Sequence, residues 1–267
     1  MTDLSIFSYL PNPRLWKASI VARLCGVDLE IRGTSPGQLA DWLWDIEARP
    51  LEPGEKSELS AIARNGRVGL TTTLYKTEAF MAAHPFGNVP AGFAPDGTGI
   101  FESNSIMRAV ARLGGGRCQL YGDDPYIASR IDSFLDVTLM FAREIQIYVL
   151  ALWGNRLDAT VHDNAIQGFR AYFGGIEQAL AADRTFLVGD GLTLADIAFF
   201  AELALLHHEY RHADQITRLG LQPFLCDETA STYPRCVAHF AKLRRHEAFV
   251  PDAEDYLSHF PENTKTR

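Results

Sequence analysis

A chain of 267 residues with 47% hydrophobic content holds enough apolar surface for one large domain or two ordinary ones. Its formal net charge of -8 repels phosphate backbones and anionic headgroups, so neither nucleic acid nor a membrane surface is an expected partner. The N-terminus, MTDLSIFSYL, carries an acid where an export signal has basic residues, and the most apolar stretch, 192–206, is interrupted by Asp196 and Glu202, so neither export nor insertion is expected. Cys25, Cys118, Cys226 and Cys236 form no C-x-x-C pair and no metal-ligand spacing, which predicts free thiols in a reducing, cytoplasmic compartment.

In chain order, Leu4 to Tyr9 alternates as a strand does before the turn Leu10-Pro11-Asn12-Pro13, and from Leu15 an apolar helical period runs to Gly26. Val27 to Arg32 reads as a second strand, completing a β-α-β unit with parallel strands. From Thr34 to about His84 scattered Pro, Gly and charge leave only a short helix near 79–83, and the stretch is too long for a plain connection. Ala91–Ala94 and Gly99–Phe101 read as a hairpin around Pro95-Asp96-Gly97. A helix follows from Ser103, with Ile106, Val110 and Leu113 on its apolar face, and stops at Gly114-Gly115-Gly116.

Beyond a linker at 116–124, every periodic signal is helical. Asp124 is placed to cap a helix with Pro125 at its first position, and Ile127, Ile131, Phe134, Thr138, Phe141, Ile145 and Leu152 hold one face. Further helices fit 164–181, 194–210 and 233–245. The expected domains are therefore residues 1–115, an α/β domain with a long insertion at about 34–83, and 125–267, an all-helical domain.

Two motif pairs carry a resemblance. Phe86-Gly87-Asn88-Val89-Pro90-Ala91, followed by Phe101-Glu102-Ser103-Asn104-Ser105-Ile106, resembles the N-P-x-G-K-V-P and E-S-x-A-I signatures of glutathione transferases. Phe186-Leu187-Val188-Gly189, followed by Thr193-Leu194-Ala195-Asp196, is similar to that family's F-L-x-G-x-x-x-T-L-A-D stretch, in which Thr193 and Asp196 make a structural capping box. The resemblance implies the glutathione transferase fold: a thioredoxin-like domain with a mixed four-stranded sheet, then an all-α bundle. It also implies glutathione as co-substrate.

In that family the proline after the valine is cis, so the resemblance implies that Val89 and Pro90 present main-chain groups to the cysteinyl part of glutathione as a short added strand. Glu102 and Ser103 open a helix whose free N–H groups and hydroxyl suit the γ-glutamyl carboxylate, with Glu102 facing its ammonium group. For the thiol, alignment with serine-type members places Asn12 where their serine stands and Arg14 where a cysteine can occur. Asn12 is equally a turn residue between two prolines, and Ser8 and Tyr9 are further candidate donors.

His207, His208 and His212 have no completing cysteine or carboxylate, so no metal is expected. The F-E-S-N-S-I run is also similar to the glutathione-transferase-like domain of a translation elongation factor's gamma subunit, which implies an assembly role. The chain ends at Arg267 without that subunit's extra domain, so the enzymatic expectation comes first. It is a glutathione-dependent transferase acting on a hydrophobic, in particular aromatic, electrophile in the cleft between the halves, by conjugation or by thiolytic cleavage such as aryl-ether cleavage. A homodimer, or a heterodimer with a related chain, is expected, joined through the two different halves with the first long C-terminal helix contributing.

Overall fold

The computed structural model of the chain describes residues 2–66, 69, 71–181 and 184–260. Two compact units divide it, Met1–Cys118 and Gln119–Arg267.

In the first unit, β1 (Leu4–Tyr9) runs parallel to β2 (Leu29–Thr34), linked by α1 (Pro13–Cys25). The helix starts where the side chain of Asn12 accepts from the Arg14 N–H and proline occupies the first position; it ends at Gly26, whose φ of 63° suits glycine, with its N–H on the Ala22 carbonyl. The antiparallel hairpin β7 (Ala91–Phe93) and β8 (Gly99–Phe101) completes a sheet ordered β2-β1-β7-β8. The helix after it, α4 (Ser103–Gly114), packs against α1. Its buried face holds Ile106, Met107, Val110 and Ala111, whereas Leu113, expected inside, is 47% exposed.

The interval 34–84 is more ordered than its sequence suggests. It contains β3 (Trp42–Trp44), β4 (Arg49–Pro50), α2 (Glu55–Glu58), β5 (Ala63–Asn65), β6 (Thr73–Lys76) and α3 (Glu78–Ala83), and its strands form a second sheet ordered β4-β3-β6-β5. Strands of two to four residues are too short to show a period of two, so the expectation found only the helix. Packing specifies them instead: Trp44, Leu74 and Phe80 join Phe7, Ala91 and Phe93 of the first sheet in one core cluster, with the Trp44 ring edge-on to Phe7 at 5.2 Å.

The expectation of four free thiols is overturned for two of them. Cys25 and Cys118 are joined by a disulfide, with Cα atoms 4.7 Å apart, while Cys226 and Cys236 are free. Their 93-residue separation fits no local spacing rule; the packing of α1 on α4 brings them together.

The second unit is helical: α5 (Pro125–Trp153), α6 (Ala159–Ala179), α7 (Leu194–Leu206), α8 (Ala213–Arg218), α9 (Asp227–Thr232), α10 (Pro234–Arg244) and α11 (Val250–Ser258). Asp124 caps α5 by accepting from the N–H groups of Tyr126 and Ile127. Asp196 closes the expected capping box with Thr193 and, fully buried, also accepts from Leu187 N–H and lies 2.9 Å from His239 Nε2. The helix expected to reach residue 210 ends at Leu206 and tightens into a 3-10 turn, His207–His212. No helix among the described residues is long and apolar enough to cross a membrane.

Candidate functional site

Three loops carry the residues singled out from the sequence, and the sheet register brings them to one end. Phe7 of β1 pairs with Ala91 of β7, and Ala91 pairs with Phe101 of β8. One or two residues further along each strand stand Ser8 and Tyr9, then Pro90 and Val89, then Glu102 and Ser103.

In the first loop the Leu10–Pro11 bond is cis. Asn12, only 1% exposed, accepts from Arg14 N–H through Oδ1 and donates from Nδ2 to Ser8 Oγ at 3.0 Å. Ser8 is fully buried. The pair thus forms an internal brace between the end of β1 and the head of α1, whereas Tyr9 and Arg14 retain exposed surface.

The second loop carries the Val89–Pro90 bond, which is cis. Val89 is half-buried, and among the described residues no hydrogen bond engages its N–H or its C=O. An unpaired main-chain donor and acceptor beside a sheet are what an added strand needs. Just upstream, His84 Nδ1 accepts from Gly87 N–H, and burial holds the imidazole below its ordinary pKa.

At the third loop Glu102 is exposed and has a φ of 67°, uncommon for a residue with a side chain, while its carbonyl caps the helix by accepting from Ser105 and Ile106. The N–H of Ser103 has no acceptor among the described residues. Sequence reasoning did not single out Lys17, which is 1% exposed and donates from Nζ to Ser103 Oγ at 3.2 Å and to Asn104 Oδ1 at 2.9 Å. A lysine ammonium only donates, so Ser103 must receive here and its own hydroxyl hydrogen is left to point elsewhere. The signal available in the sequence was a cation set directly between the apolar residues Leu15-Trp16 and Ala18 of α1.

The inserted sheet adds a residue that was also missed. Lys76 of β6 donates to the Gly87 carbonyl, and its Nζ stands 4.5 Å from the centroid of the Trp44 ring. No group of three His, Cys, Asp or Glu gathers among the described residues as a metal site would require. Burial draws the pKa of His207 and of His208 down to about 4.

Comparison with known proteins gives consistent findings. The family model described as glutathione S-transferase, C-terminal domain, matches residues 159–242. A glutathione S-transferase-like protein FUS3 from Gibberella fujikuroi is 35% identical over 180 residues, 64% of this chain and 76% of the relative. A probable elongation factor 1-gamma 1 from Arabidopsis thaliana is 33% identical over 135 residues, 49% of this chain and 31% of the relative. The chain spans about a third of the length of the elongation factor 1-gamma relatives it matches. Among solved structures, a glutathione S-transferase from Methylobacillus flagellatus with glutathione bound shares the fold at a TM-score of 0.64 and 16% identity, covering 94% of this chain and 98% of that one.

Proposed function

Because the chain belongs to the glutathione S-transferase family, we propose that it is a glutathione-dependent transferase that presents the glutathione thiolate to a hydrophobic, in particular aromatic, electrophile. The observation that carries this reading is the unpaired N–H and C=O of half-buried Val89, beside the N-terminus of α4. In the reading, Val89 pairs with the cysteinyl main chain. Pro90 fixes the loop, and the free Ser103 N–H and hydroxyl take the γ-glutamyl carboxylate while Glu102 faces its ammonium.

The cysteinyl sulfur then lies toward the end of β1 and the head of α1, where helix N–H groups and a guanidinium favour thiolate over thiol. Tyr9 and Arg14 have the exposed surface needed to reach it. Asn12 and Ser8 serve from behind by holding the loop. Aryl-ether cleavage draws no support from the comparisons and is not part of the proposal.

A second reading, a non-catalytic assembly module, is favoured by one observation: the matches of 31–35% identity to proteins named elongation factor 1-gamma. In either role the chain is proposed to act as a homodimer or with a related chain. Titration with glutathione, followed by calorimetry and by thiolate absorbance at neutral pH, tests the enzymatic reading. Binding with an ionised thiol supports it; saturating glutathione that leaves the thiol protonated favours the assembly module, and no binding at all overturns the glutathione site.

A further inference from the structure

His84 opens the turn that carries Val89. In the N-P-x-G-K-V-P signature that first position is asparagine, so the chain sets a titratable ring where the signature has an amide. The local hydrogen bond survives the exchange. Imidazole Nδ1 and amide Oδ1 are both bonded to Cγ, and here Nδ1 accepts from the N–H of Gly87, three residues on, at 3.2 Å. The same N–H also reaches the His84 carbonyl, at 2.9 Å.

The buried ring has a further contact that an amide lacks. It stacks on Phe101 with centroids 5.0 Å apart and 22° between the planes, and Phe86 of the turn lies 5.4 Å from the same Phe101 ring. Strand β8 also presses on the chain leading into His84: a Cβ at Gly99 would fall 2.0 Å from the Ala83 carbonyl oxygen. Glu102 and Ser103 follow Phe101 directly. His84 therefore touches both loops that the glutathione reading uses, the Val89 turn through Gly87 and the head of α4 through Phe101.

The Gly87 contact needs an acceptor at Nδ1, and hence the neutral ring. Protonation puts a hydrogen on each nitrogen and sets Nδ1–H against Gly87 N–H, donor to donor. Burial opposes that proton most, the charge of Lys76 opposes it too, and the Asn88 side chain favours it. The ring's other neighbours, Phe80 of α3 and Phe101 of β8, carry no charge. We propose that His84 is a positioning residue for the glutathione site: its neutral imidazole holds the Val89 turn in register with the head of α4, and its protonation in acid releases the turn and weakens glutathione binding. The inference rests on the glutathione reading above.

The test is calorimetric titration of the whole chain with glutathione from pH 7 to 4.5, a range over which the ligand's own groups largely keep their charge states. Wild type is expected to lose about tenfold in affinity toward the acid end, the scale of a buried donor left facing a donor. His84→Asn, which restores the signature's acceptor without a titrating ring, is expected to bind within about threefold of wild type at pH 7 and to lose less in acid. His84→Phe keeps the stack and loses the acceptor; it is expected to bind about fivefold more weakly at pH 7, again with the shallower acid loss. Titration of Glu102 is common to all three proteins and drops out of the comparison. The same acid profile in wild type and His84→Asn overturns the proposal while leaving the glutathione site standing, as does a His84→Phe that binds like wild type at pH 7. Failure of wild type to bind at pH 7 overturns the functional reading, and this inference with it. Should neither variant fold, an NMR titration of the wild-type His84 ring decides: glutathione must lower its pKa, because a ligand that prefers the neutral form opposes protonation, and an unchanged value overturns the proposal.

Discussion

Lys17 and Ser103 meet inside the first unit, ammonium to hydroxyl at 3.2 Å, although 86 residues separate them. The contact fixes which way the serine can donate, because the lysine offers hydrogens only. It also sets a positive charge behind the first turn of α4, where the helix dipole is already positive.

Ser103→Ala removes the proposed donor to the γ-glutamyl carboxylate and leaves buried Lys17 short of an acceptor. Glutathione affinity should fall about tenfold, and unfolding stability by about 1–3 kcal/mol. Calorimetric titration and urea denaturation measure the two separately. Loss of stability with unchanged affinity would assign Ser103 to the fold alone.

Asn12 caps α1 and braces Ser8. Asn12→Ala should cost about 1 kcal/mol of stability, as loss of a helix cap does. Tyr9→Phe and Arg14→Gln should instead raise the pH at which bound glutathione ionises while leaving its affinity nearly intact. A pH titration of thiolate absorbance in the three variants checks this. If only Asn12→Ala moves the thiol pKa, the sulfur donor is Asn12.

Native stability should peak near neutral pH for reasons located in the 3-10 turn after α7. Burial raises the Glu209 pKa from 4.5 to about 8, so between those values the native state keeps a proton that the unfolded chain has released, and stability falls as pH rises. The depressed values of His207 and His208, from 6.5 to about 4, act in the opposite sense: the unfolded chain gains protons that the native state refuses, and stability falls as pH drops through that window. The two imidazoles outweigh the one carboxyl below pH 6.5, and the carboxyl outweighs the fading imidazole contribution above it. Melting temperatures from pH 4.5 to 8 should therefore pass through a maximum near 6.5, and Glu209→Gln should flatten the alkaline limb. A monotonic profile would contradict this balance.

On α5, Val137, Met140 and Ile147 share one face and remain 41–73% exposed, opposite the buried stripe of Ile131, Leu135, Thr138 and Ile145. If this face joins the proposed dimer, Met140→Asp should raise the dissociation constant at least tenfold without lowering the melting temperature of the monomer. Sedimentation equilibrium at micromolar concentration reads the difference. A wild type that is monomeric under those conditions removes the dimer.

Local chemistry made much of the protein legible from its sequence. The N-caps Asp124 and Thr193, the turn at Asn12, the glycine stop at Gly26 and the Asp96-Gly97 hairpin each act over a few residues, so composition at fixed offsets determines them, whereas the capping of α1 by Asn12 emerged only in the structure. The order of elements, strands then helices, followed from the same local signals, whereas the loops bearing Val89, Glu102 and Ser103 stood out through the resemblance to glutathione transferase signatures. Only tertiary structure decided the rest. The strands of the second sheet are too short to show a period, and they exist because Trp44, Leu74 and Phe80 bury against Phe7 and Phe93. The Cys25–Cys118 bond, the Lys17–Ser103 contact and the seat of Lys76 on the Gly87 carbonyl join residues that no spacing rule relates. They arise where α1 packs on α4 and where the inserted sheet packs on the first, since burial selects such contacts by proximity in space, which a linear pattern does not encode.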